Sequence, residues 1–140
     1  MMPDVLLNKK ASIERCVQQI QRYYSGSQNF TEDYLRQDAI SANIQRIADL
    51  CIDSANYVIK KKKLGLPKNS ADSFVLLNAA GLISHDMLQS LRAMVGFRNV
   101  IVHQYTELDI NLMIDVIENH LAMPIDFAQA LLLAMMASDC

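Results

Sequence analysis

The chain has 140 residues, 51% of them hydrophobic and 20% charged, which supplies apolar material for one folded core and argues against disorder and against separate cofactor and substrate modules. Thirteen Lys and Arg against fifteen Asp and Glu leave a formal charge of −2, so there is no global basic field and any RNA contact has to be local. Cys16, Cys51 and Cys140 show neither disulfide nor zinc spacing, and the mixed polar start Met1 to Lys10 is not a secretory leader, so the expected setting is the cytoplasm.

Four glycines and three prolines punctuate segments of helical period, and the expectation is a single all-α domain over residues 1–140, a bundle of about five helices. The first helix runs from about Asp4 to Tyr24 with Ile13, Val17, Ile20 and Tyr24 on one stripe, and Ser25, Gly26 and Ser27 end it. The second, from about Thr31 to Lys63, repeats Ile40, Ile44, Ile47, Cys51, Ala55 and Val58 at spacings of three and four and is long enough to be the spine. Gly65 and Pro67 stop it, and Lys60 to Lys63 fall in its last turn, where cations complement the helix dipole; a role in holding RNA phosphate is the alternative for that run.

A short third helix from about Ser70 to Ala80 points Phe74 and Leu77 inward, and Gly81 closes it. Ser84 caps a fourth helix, with Asp86 in its first turn, that continues to about His103. Val100, Ile101 and Val102 could alone pass for a strand, but they extend the stripe of Met87, Leu88, Leu91, Met94 and Val95 within an arc of about 140°, so continuity favours helix. A fifth helix from about Asp109 carries Ile110, Met113, Ile114, Ile117 and Leu121, and Pro124 either kinks it or opens a last helix through Ala137. The stretch Leu121 to Ala137 is interrupted by Pro124, Asp126 and Gln129 and is short for a membrane span; it reads as a buried or partner-facing helix.

The polar residues of the fourth helix sit where a simple surface helix would not put them. With Arg98 as the zero of a helical wheel, Tyr105 lies about 20° away, inside the apolar stripe, while Asn99 and His103 lie about 100° and 140° away on its edge. A guanidinium among apolar neighbours needs a partner. Either an internal acid such as Glu107 or Asp109 pairs with Arg98 and His103 is a satisfied core histidine, or Arg98, Asn99 and His103 form a phosphate site. In that site a planar cation grips a phosphodiester, an amide orients it and an imidazole moves protons near neutral pH. His85 and His120 fit no motif and read as surface residues. No Asp/His/Cys cluster has ligand spacing, so no metal and no cofactor is expected.

The run Gly96-Phe97-Arg98-Asn99-Val100-Ile101-Val102-His103-Gln104-Tyr105 resembles the R-x4-H-x-Y motif of HepT toxins, members of the HEPN superfamily. The resemblance extends upstream to Cys51-Ile52-Asp53-Ser54-Ala55-Asn56, Leu64-Gly65-Leu66-Pro67, Phe74, Leu77, Gly81-Leu82-Ile83 and Met94. It implies a HEPN-type up-and-down helical bundle, homodimeric, with the Arg and His motifs of two copies meeting in one cleft, and a metal-independent endoribonuclease acting on RNA. In that reading His103 is the acid–base residue, Arg98 stabilises charge on the phosphorane and Asn99 positions substrate. The resemblance also implies a toxin–antitoxin pair, in which a cognate minimal nucleotidyltransferase antitoxin transfers AMP to the motif tyrosine, here Tyr105. The alternative function is a non-catalytic dimeric partner, or a nucleotide- or substrate-binding subunit of a nucleotidyltransferase. A homodimer is also expected because apolar residues, Leu131 to Met136 above all, exceed what one bundle readily covers.

Overall fold

The computed structural model describes residues 4–103 and 110–138. Among these, six α-helices and no strand occur: α1 (Asp4–Ser25), α2 (Tyr34–Lys62), α3 (Ser70–Ala79), α4 (His85–His103), α5 (Ile110–Asn119) and α6 (Ala122–Ser138). The all-α expectation holds, with one helix more than anticipated. α2 is the spine, packed against α1, α3, α4 and α6. The stripe read from its sequence, Ile40, Ile44, Ile47, Cys51, Ala55 and Val58, is buried throughout.

Several boundaries differ from the sequence reading, each for a local reason. α2 starts at Tyr34, not Thr31, because Asp33 is the cap: its carboxylate accepts from the Arg36 N–H at 3.2 Å and from the Ser27 hydroxyl at 2.9 Å. Thr31 belongs to a short 3-10 turn, Phe30–Glu32, whose buried Phe30 meets the Tyr24 ring edge-on at 5.0 Å. At the other end α2 stops ahead of Gly65 and Pro67: Lys63 takes the left-handed conformation at φ 55°, and the Leu64 N–H donates to the Ile59 carbonyl at 3.0 Å. Lys60, Lys61 and Lys62 lie in the last turn as expected, with Lys61 5.7 Å from the centre of the Tyr57 ring.

The remaining punctuation matches the sequence. Asn69 caps α3, accepting from the Asp72 N–H at 2.8 Å. Gly81 adopts φ 79° after α3, a conformation in which a side chain is strained. Ser84 caps α4, its hydroxyl accepting from the Met87 N–H at 3.1 Å. Pro124 opens a last helix and does not kink the fifth: it sits in the first turn of α6, where its missing N–H costs nothing, and the chain bends by 50° between α5 and α6. Among the described residues no single helix is long and apolar enough to cross a membrane.

The core runs from Leu6 on α1 through α2 to Phe74 and Leu77 of α3 and Phe127 of α6, with the Phe74 and Phe127 rings edge-to-face at 5.6 Å. Leu131 and Leu132 are buried in this core, and of the stretch Leu131 to Met136 only Leu133 is well exposed, at 53%. The apolar surplus expected there is therefore largely covered by the chain itself, since α6 lies against α1 and α2. An open groove of about 570 Å³ lies beside α4, with walls that include Ile47 of α2, Met94, Phe97 and Val100 of α4, and Leu112 and Val116 of α5.

Candidate functional site

α4 brings Arg98, Asn99 and His103 onto one helix, as the periodicity required. Its inward residues are Leu88, Leu91, Val95 and Ile101, joined by Phe97, which the stripe did not include; Met87 and Met94 are half-buried. Phe97 is inside because α4 is covered on two sides, by the core around α2 and by the wall of the apolar groove.

Arg98 projects from the middle of that stripe, yet its side chain is 29% exposed. A long side chain resolves the conflict by laying its methylenes along apolar surface and carrying the guanidinium outward. Its Nη2 donates to Asp49 Oδ1 of α2 at 3.0 Å, and its Nη1 donates to Asn99 Oδ1 at 3.2 Å. The Nε is buried and has no hydrogen-bond partner among the described residues.

Among the described residues the acid that pairs with Arg98 is Asp49, which is 44% exposed; Glu107 and Asp109, the acids expected from the sequence, lie outside the described residues. A pair open to solvent to this degree is accessible to a ligand, unlike a sealed architectural ion pair. Asn99 is exposed. His103 is the last residue of α4, and Tyr105 lies outside the described residues. His85 and His120 are on the surface as expected, His85 beside Gln89 at 3.2 Å and His120 paired with Asp115 at 3.1 Å.

Asp49 borders a shallow depression on α2 lined by Ala42, Gln45, Arg46 and Asp49. Those four positions recur at spacings of three, one and three, one outward face of the helix, and that spacing was the signal available in the sequence. No periodicity argument joined Asp49 to Arg98, because the two are 49 residues apart.

The model of the ribonuclease HepT-like family matches residues 13–131. The chain belongs to this family. This HepT-like ribonuclease is 40% identical over 128 residues to the mRNA nuclease HepT of Shewanella oneidensis, covering 91% of the chain and 94% of the relative. Its fold is similar to that of the tri-AMPylated HEPN toxin of the same organism in complex with MNT antitoxin (TM-score 0.88, 38% identity, 92% of this chain and 97% of the other). It is also similar to a toxin–antitoxin structure with AMP-PNP (TM-score 0.87, 37% identity, 91% and 97%). YutE of Bacillus subtilis shares the fold at 15% identity and a TM-score of 0.76, over 94% of this chain and 90% of the other.

The family resemblance drawn from the motif is therefore correct, and the structure sorts the residues that carried it. The upstream ones build the scaffold: Cys51 and Ser54 are buried in α2, the Ser73 hydroxyl donates to Asn56 Oδ1 at 2.7 Å to join α2 and α3, and Phe74 and Leu77 fill the core. Burial pushes the Cys51 thiol well above its ordinary pKa, so this cysteine is packing and not a nucleophile.

Proposed function

We propose that this HepT-like ribonuclease is the toxin of a toxin–antitoxin pair and cleaves RNA, without a metal, through Arg98 and His103 drawn from two copies of the chain. The observation that carries the reading is the state of Arg98: a guanidinium on the apolar stripe, brought to the surface, held by Asp49 and Asn99 and still open to solvent. Such a fork is pre-oriented for a phosphodiester, which it can grip through two parallel N–H···O bonds.

Helix geometry supports a composite site made by two copies. Five residues along α4 turn the position of His103 about 140° from Arg98, so one helix does not present both to the same phosphate. The His103 position instead continues Gln89, Ala93, Gly96 and Val100, residues at the apolar groove, at spacings of three and four. A second copy packed along that face brings its own motif across, and the groove supplies the apolar surface such a contact buries.

In the cleft, His103 takes the proton of the ribose 2′-hydroxyl, the 2′-oxygen attacks phosphorus, and the 5′-oxygen leaves with a proton delivered by His103 of the second copy. Arg98 stabilises the charge on the phosphorane, and Asn99 orients the strand. Control is by a cognate minimal nucleotidyltransferase, in line with relatives described as tri-AMPylated and in complex with MNT antitoxin. AMP on Tyr105 puts bulk and negative charge beside the anion site and blocks RNA.

The test is a His103→Ala chain assayed for RNA cleavage in chelator, for toxicity and for mass by light scattering. Wild type should cleave as a dimer and the variant should be an inactive dimer of unchanged melting temperature. Full activity of His103→Ala, or an active monomer, overturns the composite site.

A further inference from the structure

The pairing of Arg98 with Asp49 has an electrostatic cost for substrate binding. An arginine matched by a carboxylate at 3.0 Å is close to neutral at a distance, so the pair alone exerts little pull on an approaching phosphodiester. The surplus positive charge has to come from a neighbour, and Asn99 has none to give.

Arg46 lines the same shallow depression of α2 as Asp49. It is exposed, and no acidic partner meets it among the described residues. Asp49, three residues further along the helix and within reach of an i,i+3 contact, is committed to Arg98 instead. Two guanidinium groups and one carboxylate therefore border this part of the surface, a local surplus of about +1 that the Arg98–Asp49 pair alone does not provide. Gln45, one turn before Asp49 on the same wall, adds an amide that can donate to a phosphate or ribose oxygen.

We propose that the depression formed by Gln45, Arg46 and Asp49 is a second phosphate subsite, in which Arg46 binds the RNA phosphate next to the one gripped by Arg98. Asp49 is then a positioning residue that holds the Arg98 fork between two phosphates and keeps it from collapsing onto either. The inference rests on the reading that this chain cleaves RNA, and it assigns the strand a path: from the α4 motif over the outward face of α2.

Phosphate binding has a signature that structural roles lack, because each charge that neutralises a phosphate adds to the salt dependence of affinity. In a non-cleaving His103→Ala background, the affinity for a short labelled single-stranded RNA is measured across a salt series for wild-type Arg46, Arg46→Gln and Arg46→Lys. Arg15, exposed on α1 and outside the depression, provides an Arg15→Gln control.

Arg46→Gln should weaken binding roughly tenfold, the equivalent of one charge-assisted hydrogen bond, and lower the slope of log Kd against log salt by about 0.7, the value for one phosphate of a single strand. Arg46→Lys should keep the slope, since the charge is retained, and Arg15→Gln should keep both slope and affinity. In the His103-intact chain, Arg46→Gln should raise KM and leave kcat nearly unchanged. An unchanged slope in Arg46→Gln, in a protein that binds and cleaves RNA, overturns the subsite alone. Absence of RNA binding and cleavage by wild type overturns the functional reading and the subsite together.

Discussion

Replacing Asp49 separates a positioning ion pair from an architectural one, because the two roles predict opposite balances of stability and rate. The pair is 29% exposed on the arginine side and 44% on the aspartate side, so solvent screens it and its contribution to folding should be about 0.5–1 kcal/mol, as for other surface-accessible pairs. For a chain of this length that corresponds to a fall in melting temperature of about 2–4 °C. The catalytic effect should be larger. In Asp49→Ala the guanidinium keeps, among the described residues, only Asn99, its Nε being already without a partner there, and loss of orientation at a reacting phosphate costs about a hundredfold in kcat. Asp49→Asn retains an oxygen acceptor at the same place, so kcat should fall only severalfold. It also removes a negative charge beside the proposed phosphate site, worth about 1 kcal/mol for neighbouring charges in a largely aqueous dielectric, and KM should drop about fivefold. Steady-state cleavage of a fluorogenic RNA gives kcat and KM separately, and a thermal melt gives stability. Asp49→Ala with kcat within twofold of wild type would falsify the positioning role, and so would a fall of more than roughly 10 °C in both variants, which is the signature of breaking a sealed pair.

Control through Tyr105 predicts that co-expression with a cognate nucleotidyltransferase raises the intact mass of the chain by one or more adenylate units, while Tyr105→Phe gains none and stays toxic; neutralisation of wild type without a mass increase contradicts it. Phe74→Ala removes a fully buried ring that packs edge-to-face on Phe127 and should cost about 3–5 kcal/mol, read as a melting temperature lower by roughly 10–20 °C; a shift of a few degrees would mean that the core relaxes around the cavity. The raised pKa of Cys51 leaves little thiolate at neutral pH. Native protein at pH 7 should therefore hold Cys51 unalkylated while unfolded protein reacts fully, and prompt labelling of Cys51 in mass spectrometry would show that α2 opens readily.

Where a residue's conformation depends on its own neighbours in the chain, the sequence was sufficient. The Ser84 cap, the turn at Gly81, the buried stripe of α2 and the placing of Arg98, Asn99 and His103 on one helix all follow from hydrogen bonds and side-chain packing within four residues. The family was legible for the same reason: R-x4-H-x-Y is a local pattern. Boundaries slipped only where two local signals competed, as at Thr31 against Asp33 and at Gly65 against the left-handed Lys63. The tertiary structure decided what is paired with what. Asp49 reaches Arg98 only because α4 packs on α2. Leu131 and Leu132 are covered only because α6 folds back against α1 and α2. An ion pair or a buried face between helices is set by how their surfaces fit, a property of two segments together, and helical periodicity measures one segment at a time.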